Sequence, residues 1–261
     1  MKQTSETSFE PDWLNLREPA DHRARDPKLL ASAASCVQDG SIVLDLGSGT
    51  GSTARAFVQA GFGKMRWRFF DNDATLLRIA SDRHPEAECV VGNLGDVKNL
   101  PLGDVGLITA SALFDLMPES WINALILRAA EAGIPIYTAL NYDGQMSWTP
   151  NDERDCVVTR AFNWHQTNDK GLGPALGPLS GSRFAELSEI VGYTVASAQS
   201  PWRLGPQETQ LHDAVLDGIA QAAHEAGEKH ALDWGIDRRG AVAVAETLGT
   251  IGHTDHLSVP R

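Results

Sequence analysis

The chain has 261 residues, and its 34 acidic and 22 basic side chains give a formal net charge of −12. This length predicts one domain with extensions, and 42% apolar with 21% charged residues is typical of a folded globular protein, not of a disordered or fibrous one. The acidic balance argues against a nucleic-acid partner, because phosphate backbones are bound by basic surfaces.

The cysteines and the hydropathy bear on the compartment. Cys36, Cys89 and Cys156 lie far apart, which fits neither a disulfide framework nor a zinc site, so we expect reduced thiols and a cytoplasmic location. The first residues lack the apolar segment of a signal peptide, and no run approaches the roughly 18 apolar residues of a membrane span. His253 and His256 have no evident third ligand, so we expect no metal.

From residue 13 to 141, helical periodicity alternates with compact apolar runs. Residues 13–36 predict two helices with a break near Pro19. Buried strands are predicted at 41–46, 65–71, 88–93, 106–111 and 134–141, with helices at 52–61, 74–83 and 119–133 between them. This alternation predicts a doubly wound, mostly parallel sheet.

Beyond residue 141 the pattern changes. Residues 142–177 mix Gly, Pro, Trp and polar residues without a period, which indicates an inserted segment. Helices are predicted at 183–193, 207–227 and 236–250. In the first of these, Phe184, Leu187, Ile190 and Val191 share a face. Strands are predicted at 193–199 and, as a last edge strand, at 250–260. We expect residues 1–261 to form a single domain with an N-terminal helical cap (1–40), a core (41–141), an insert (142–180) and a C-terminal part (181–261).

The strongest local signal is the glycine-rich sequence DLGSGTGS. Gly47, Gly49 and Gly51 lie between a strand and a helix, where backbone N–H groups can approach a ligand. A dinucleotide fingerprint would need its third glycine at position 52, which is Ser52. Asp45 sits before the first glycine, where a carboxylate suits a ligand with ammonium and sulfonium groups better than a pyrophosphate. The loop therefore favours S-adenosylmethionine over NAD.

Two further polar residues end the next strands. Asp71, twenty residues after Gly51, can accept hydrogen bonds from both hydroxyls of a ribose; alternatively it caps the following helix. Asn93, at the end of the third strand, can pair with the amino group of adenine; alternatively it is a turn residue.

The segments VLDLGSGTGSTARAF, FFDNDATLL, VVGN and LITASALFDL together resemble the motifs of class I S-adenosylmethionine-dependent methyltransferases. The resemblance covers residues 41–141 and implies a Rossmann-like sheet whose last strand is antiparallel, with the cofactor above the carboxyl ends of the first two strands. It implies that Asp45, Gly47 and Gly49 hold the methionine part, Asp71 the ribose, Asn93 and Leu94 the adenine, and that Ser111 lies near the transferred methyl group. The other cofactor-binding candidates are Arg25, which could bind the cofactor carboxylate unless it lies on a solvated helix face, with Ser48, Gly51 and Asn72.

The acceptor is approached by elimination. The turn SALF (111–114) lacks the Asn/Asp-Pro-Pro-aromatic sequence of enzymes that methylate the amino groups of DNA bases, and no cysteine precedes or follows a proline as cytosine C5 methylation requires. A small-molecule acceptor is therefore favoured, in a pocket that the insert lines. Its candidate walls, each of which could instead be core packing, are Trp148, Trp164, His165, Asp169, Lys170, Trp202 and Arg203.

Asp115 and His165 are the candidate general bases. Asp115 follows the fourth strand near the methyl end of the cofactor but could simply cap a helix, whereas His165 has a pKa suited to proton transfer near neutrality but lies alone in the insert. Two other functions stay open: an NAD-dependent oxidoreductase, and a non-catalytic protein that shares the cofactor fold.

Overall fold

The structure is a computed structural model that describes residues 10–244 and 247–261. Within these residues it has eight strands: β1 (Ile42–Leu46), β2 (Arg66–Asp71), β3 (Glu88–Val91), β4 (Val105–Ser111), β5 (Ile136–Thr149), β6 (Tyr193–Gln199), β7 (Trp202–Leu204) and β8 (Leu248–Pro260). The helices are α1 (Pro11–Ala24), α2 (Pro27–Ser35), α3 (Ser52–Gln59), α4 (Ala74–Arg83), α5 (Glu119–Ala132), α6 (Asp155–Gln166), α7 (Ser180–Ile190), α8 (Thr209–Glu225) and α9 (Ala231–Ala243).

The strands form one sheet in the order β3-β2-β1-β4-β5-β8-β6, and β7 also pairs with β8. Strands β1 to β5 run parallel to one another, whereas β8 is antiparallel to β5, β6 and β7. This arrangement confirms the predicted Rossmann-like α/β fold with an antiparallel last strand. Because β1, β2 and β4 are parallel, their carboxyl ends meet at one edge, where open α/β sheets bind ligands.

Apolar helix faces cover both sides of the sheet, and a third cluster lies beside it. Phe57 of α3 and Leu77 of α4 pack with Val43 on one side, and Ile122 of α5 and Phe184 of α7 pack on the other. Strand β1 is buried throughout, as its apolar run predicts for a parallel strand covered twice. The third cluster joins α1, α6, α8 and α9 to β7 and the distal halves of β5 and β8.

The predicted end of β5 at residue 141 is wrong. The strand continues to Thr149, because β8 continues beside it and pairs Tyr142 with His253 and Trp148 with Gly249. Where the two halves of the strand meet, the register with β8 is irregular and Leu140 has a left-handed φ of 58°. The beginning of the predicted insert is therefore sheet, and α6 with the loop after it forms the rest.

Two C-terminal predictions are also wrong. β8 is not an edge strand, since it lies between β5 and β6 and buries Asp255 and His256. The helix predicted at 236–250 is α9, which begins earlier and ends at Ala243; positions 245–246 of that prediction lie outside the described residues.

At the amino terminus, α1 runs through Pro19 without the predicted break. Proline disfavours a helix interior, but tertiary contacts on either side hold this turn: Glu18 bonds Arg55 and Asp21 bonds Trp202. The chain breaks instead at Asp26, whose carboxylate caps α2. Residues 1–9 of the predicted N-terminal helical cap lie outside the described part of the chain. In α7, Ile190 is 72% exposed and leaves the predicted apolar face.

Candidate functional site

A cavity of about 380 Å³ lies at the carboxyl ends of β1, β2 and β4. The glycine loop after β1 and the ends of β2 and β4 form its floor, residues 93–94 one side, and α1 and residues 170–172 its other walls. The predicted cofactor residues that line it are Arg25, Gly47, Ser48, Gly49, Asp71, Asn72, Asn93, Leu94 and Ser111. The topology thus brings together residues that are distant in the sequence.

Two positions of the loop require a residue without a side chain. Gly47 and Gly49 have left-handed φ angles of 62° and 52°, which favour glycine. A Cβ atom would lie 3.2 Å from Leu113 at position 47 and 3.3 Å from Leu14 at position 49. The backbone conformation and the close approach of Leu113 and Leu14 therefore both favour glycine at these two lining positions.

Gly51 has a different position. It is not among the lining residues; it precedes α3 with φ 80°, and a Cβ there would lie 3.1 Å from His84 and 3.2 Å from Phe69. The structure thus assigns this glycine to close packing between loop and sheet.

Asp71 lines the cavity and braces the glycine loop. Its Oδ2 accepts from the backbone N–H of Gly49 at 2.8 Å and its Oδ1 from that of Asp73 at 2.9 Å. The cap of α4 is Asp73, which accepts from Thr75 and Leu76, so the capping alternative does not apply to Asp71. Burial raises the pKa of Asp71, and the backbone donors partly oppose that rise.

Asp45 lies below the cavity floor and is 1% exposed. Its Oδ1 accepts from Thr109 Oγ1 at 2.7 Å, and its Oδ2 is buried without a partner in the described chain. Burial raises the pKa of Asp45 to about 7. This carboxylate is absent from the lining, whereas Thr53 and Arg25, which interact with it, line the cavity.

Arg25 is the buried cation of the floor. It donates from Nη2 to Ser111 Oγ at 2.8 Å, and Ser111 Oγ lies 3.1 Å from Thr53 Oγ1. Arg25 Nε and Nη1 are buried with no partner among the residues described, as is Ser48 Oγ. Buried donors of this kind require a partner, and the carboxylate of an amino acid fits them.

At the opposite end, Asn93 and Leu94 line the cavity. Asn93 Oδ1 accepts from the N–H of Gly95 at 2.8 Å, so the turn alternative describes part of its role. A carbonyl oxygen has a second lone pair and the amide has two donors, so contact with an adenine ring stays available. Leu94 is held by its carbonyl oxygen, which accepts from Trp121 Nε1 at 2.6 Å.

Asp115 lies in a 3-10 turn (Phe114–Leu116) after β4. Its Oδ1 is buried without a partner in the described part of the chain. Burial raises the pKa of Asp115 to about 6, and the positive charges of Arg17 and Lys170 oppose the rise. Arg17 and Lys170 both line the cavity, and so do Leu113 and Leu116 on either side of Asp115.

The structure does not bring His165 to this cavity. It lies near the end of α6, and its Nε2 is 3.1 Å from Glu225 Oε2 on α8. It is absent from the lining.

Of the residues predicted as pocket walls, Lys170 lines the cavity. Trp148 packs against Trp234 and beneath Arg238, and Trp202 donates to Asp21, so both are core residues. Trp164 is 71% exposed. His253 and His256 are buried in β8, where burial lowers their pKa to about 3 and about 4. Over the described residues no cluster of metal-ligand side chains occurs, and no helix is long and apolar enough to cross a membrane.

Sequence reasoning missed Leu14 and Thr53, which line the cavity. Thr53 had a signal, since it is two positions after the last glycine of the loop. Leu14 had none, because its role depends on how α1 folds back over Gly49.

This chain is similar to known proteins in part of its sequence and in its fold. Residues 43–135 match the profile of a methyltransferase domain family. No curated protein matches the sequence. A cyclopropane synthase from Mycobacterium tuberculosis superposes with a TM-score of 0.52 and 14% identity, over 96% of this chain and 94% of that one. An S-adenosylmethionine-dependent methyltransferase from Geobacter sulfurreducens, crystallised with S-adenosyl-L-homocysteine, superposes with a TM-score of 0.47 and 16% identity, over 97% of this chain and 99% of that one. A TehB-like S-adenosylmethionine-dependent methyltransferase from Corynebacterium glutamicum superposes with a TM-score of 0.43 and 18% identity, over 71% of this chain and 82% of that one.

Residues 43–135 match a methyltransferase domain, which agrees with the predicted class, an S-adenosylmethionine-dependent methyltransferase. The methyl donor of this class is S-adenosylmethionine. The superposition on the mycobacterial enzyme supports the fold.

Proposed function

We propose that this enzyme transfers the methyl group of S-adenosylmethionine to a small-molecule acceptor, and that it does so in the cytoplasm, without a nucleic-acid partner. The observation that carries the proposal is the cavity that joins the glycine loop to Lys170 and to Leu113 and Leu116, which flank Asp115. Free thiols on all three cysteines support the location, and the net charge of −12 disfavours nucleic acid.

The residues of the floor would hold the cofactor. Arg25 and Ser48 offer unpartnered buried donors to the carboxylate of the methionine part. The N–H groups of the glycine loop add further donors. Asp71 would accept from the ribose hydroxyls, while Asn72, Asn93 and Leu94 border the adenine.

When bound, S-adenosylmethionine supplies a methyl group on a positively charged sulfur and leaves as the neutral sulfide S-adenosylhomocysteine. The protein contributes position and a base. Asp115 would accept, on Oδ1, the proton that the acceptor atom loses as its lone pair forms the new bond to carbon. A pKa of about 6 leaves this carboxylate mostly ionised at neutral pH and still able to hold a proton.

The enclosure of the cavity supports a small acceptor. Leu14 of α1 lies over Gly49, and residues 170–172 close another side. Leu113, Leu116 and Met117 give an apolar wall beside Asp115. An apolar wall with a few polar groups is typical of small-ligand sites, and we propose that residues 142–180 contribute to this one through the loop that carries Lys170.

Calorimetry tests whether the protein binds the proposed cofactor. The protein is titrated with S-adenosylmethionine, with S-adenosylhomocysteine and with NAD. We expect the first two to bind and NAD not to bind. NAD binding alone would establish the oxidoreductase alternative.

A second experiment separates an enzyme from a non-catalytic relative. Release of S-adenosylhomocysteine is measured with a panel of small hydroxyl, amine and thiol acceptors. Turnover above the rate without acceptor supports methyl transfer, whereas cofactor binding with no turnover across the panel favours the non-catalytic alternative.

A further inference from the structure

The loop that carries Lys170, residues 167–176, is fixed at several points. Asp169 Oδ1 accepts from the backbone N–H groups of Gly171 and Gly173 at 2.7 and 2.9 Å, and Asp169 forms a bridge with Pro174. Leu176 N–H donates to Met117 O at 2.9 Å. The loop is thus anchored to the turn after β4, and it presents Lys170 to the cavity.

Lys170 has no ion-pair partner among the described residues. Asp115 and Glu225 act on it only through longer-range attraction, and burial lowers its pKa. A half-buried ammonium loses part of its hydration, which favours an anion beside it.

The other two cations of the cavity are engaged. Arg17 pairs with Asp21 at 2.8 Å and lies over the ring of Trp202. Arg25 bonds Ser111, interacts with Tyr137, Asp255 and Asp21, and is assigned to the cofactor carboxylate under the proposed function. Lys170 is therefore the lining cation of the described chain that has neither an ion-pair partner nor a place at the proposed carboxylate site of the cofactor.

The charges of the side chains that line the cavity also favour an anionic ligand. Among the lining side chains, three cations, Arg17, Arg25 and Lys170, stand against two carboxylates, Asp21 and Asp71. The carboxyl group of Asp115, which attracts Arg17 and Lys170, lies outside the lining. This local excess of positive charge occurs in a chain with a net charge of −12. A concave site with such an excess concentrates anions.

We infer that Lys170 binds a carboxylate of the acceptor, so that the substrate is a small carboxylic acid whose methylated atom lies near Asp115. This inference rests on the proposed function, and it makes Lys170 a specificity-determining residue. One ammonium group compensates one negative charge, which favours a single carboxylate over a doubly charged phosphate.

The test uses simple carboxylates and their uncharged amides as probes of the full-length protein saturated with S-adenosylhomocysteine. Binding of acetate, benzoate, phenylacetate and 3-phenylpropionate is compared with that of the four matching amides by ligand-observed NMR. We expect at least one acid to bind about tenfold more tightly than its amide. We expect Lys170→Met to abolish that difference and Lys170→Arg to keep most of it. Lys98→Met, an exposed lysine outside the cavity, is the matched control.

Three results would overturn the inference: no acid binds better than its amide, Lys170→Met leaves the preference intact, or Lys98→Met abolishes it equally. Calorimetry with S-adenosylhomocysteine on each variant keeps this failure distinct from failure of the proposed function. If the wild type does not bind S-adenosylhomocysteine, the proposed function fails. If Lys170→Met alone loses it, Lys170 belongs to the cofactor site and the inference fails.

Discussion

Asp71 Oδ2 accepts a hydrogen bond from the backbone N–H of Gly49 at 2.8 Å, which joins the end of β2 to the glycine loop after β1. The same carboxylate lines the cavity. One side chain therefore fixes the shape of the loop and stays within reach of a ligand, so its loss affects binding in two ways.

We predict that Asp71→Ala weakens binding of S-adenosylhomocysteine by about 1–3 kcal/mol, the scale of lost hydrogen bonds to a charged group. This corresponds to roughly 5- to 150-fold in Kd, measured by calorimetry. Asp73→Ala is the matched control, because Asp73 caps α4. That variant loses about 1 kcal/mol of stability and keeps its affinity. Equal affinities for Asp71→Ala and wild type would limit Asp71 to a local structural role.

Gly49→Val is predicted to abolish cofactor binding while the sheet stays folded. The new side chain would adopt a left-handed φ and crowd Leu14 at the cavity. Gly61→Val is the control, because Gly61 also has a positive φ, of 93°, but nothing stands within 4 Å of its Cβ position. Both variants lose stability in thermal unfolding, and only Gly49→Val loses affinity in calorimetry. Cofactor binding by Gly49→Val would show that the loop does not contact the ligand.

Most of the predicted cofactor residues that line the cavity share one property: each lies at or just after the end of a strand. Gly47, Gly49, Asp71, Asn93 and Ser111 all line the cavity, because parallel strands bring their carboxyl ends to one edge. The local sequence predicts both the strand and its end, and the parallel topology then brings these ends together.

The predicted residues that lie away from the cavity are placed by contacts between distant segments. Trp148 becomes core because α9 brings Trp234 against it, and Trp202 because α1 brings Asp21. Gly51 faces Phe69 and His84, although its spacing matches that of the lining glycines. A local sequence pattern does not show which distant residues contact a side chain. It therefore cannot distinguish an aromatic residue that lines a pocket from one that packs in the core.

The pH dependence of the methyl transfer step tests Asp115. Burial raises the pKa of this group to about 6, and a base must be ionised, so the rate in single turnover falls as pH drops through about 6. Asp115→Asn should lose roughly 10²- to 10⁴-fold in rate and the acid limb with it, when followed by release of S-adenosylhomocysteine with an active acceptor.

Asp143→Asn is the control for this prediction. Asp143 is also a carboxylate whose pKa is raised by burial, but it lies outside the lining. We expect its rate and pH profile to match those of the wild type. If Asp115→Asn keeps the acid limb of the profile, another group is the base or none is used.

The buried carboxylate of Asp45 makes a last prediction, on stability. Its pKa in the folded chain is about 7 against an ordinary value of 3.8, because burial without a partner on Oδ2 penalises the ion. The folded state therefore binds more protons than the unfolded state between these values. The stabilising contribution of the neutral acid is complete below pH 3.8 and is lost as pH rises through about 7.

Asp45→Asn keeps a neutral group that accepts from Thr109. The free energy of unfolding of this variant should therefore increase relative to that of the wild type as pH rises. We expect a gain of up to about 1.4 kcal/mol per pH unit in urea titrations at pH 5, 6 and 7, levelling off by pH 8. Asp39→Asn, at an exposed position, corrects for the loss of one negative charge from an acidic protein. A difference from wild type that stays constant over this range would show that Asp45 is ionised throughout. In that case its negative charge is available beneath the glycine loop at every pH at which the enzyme works.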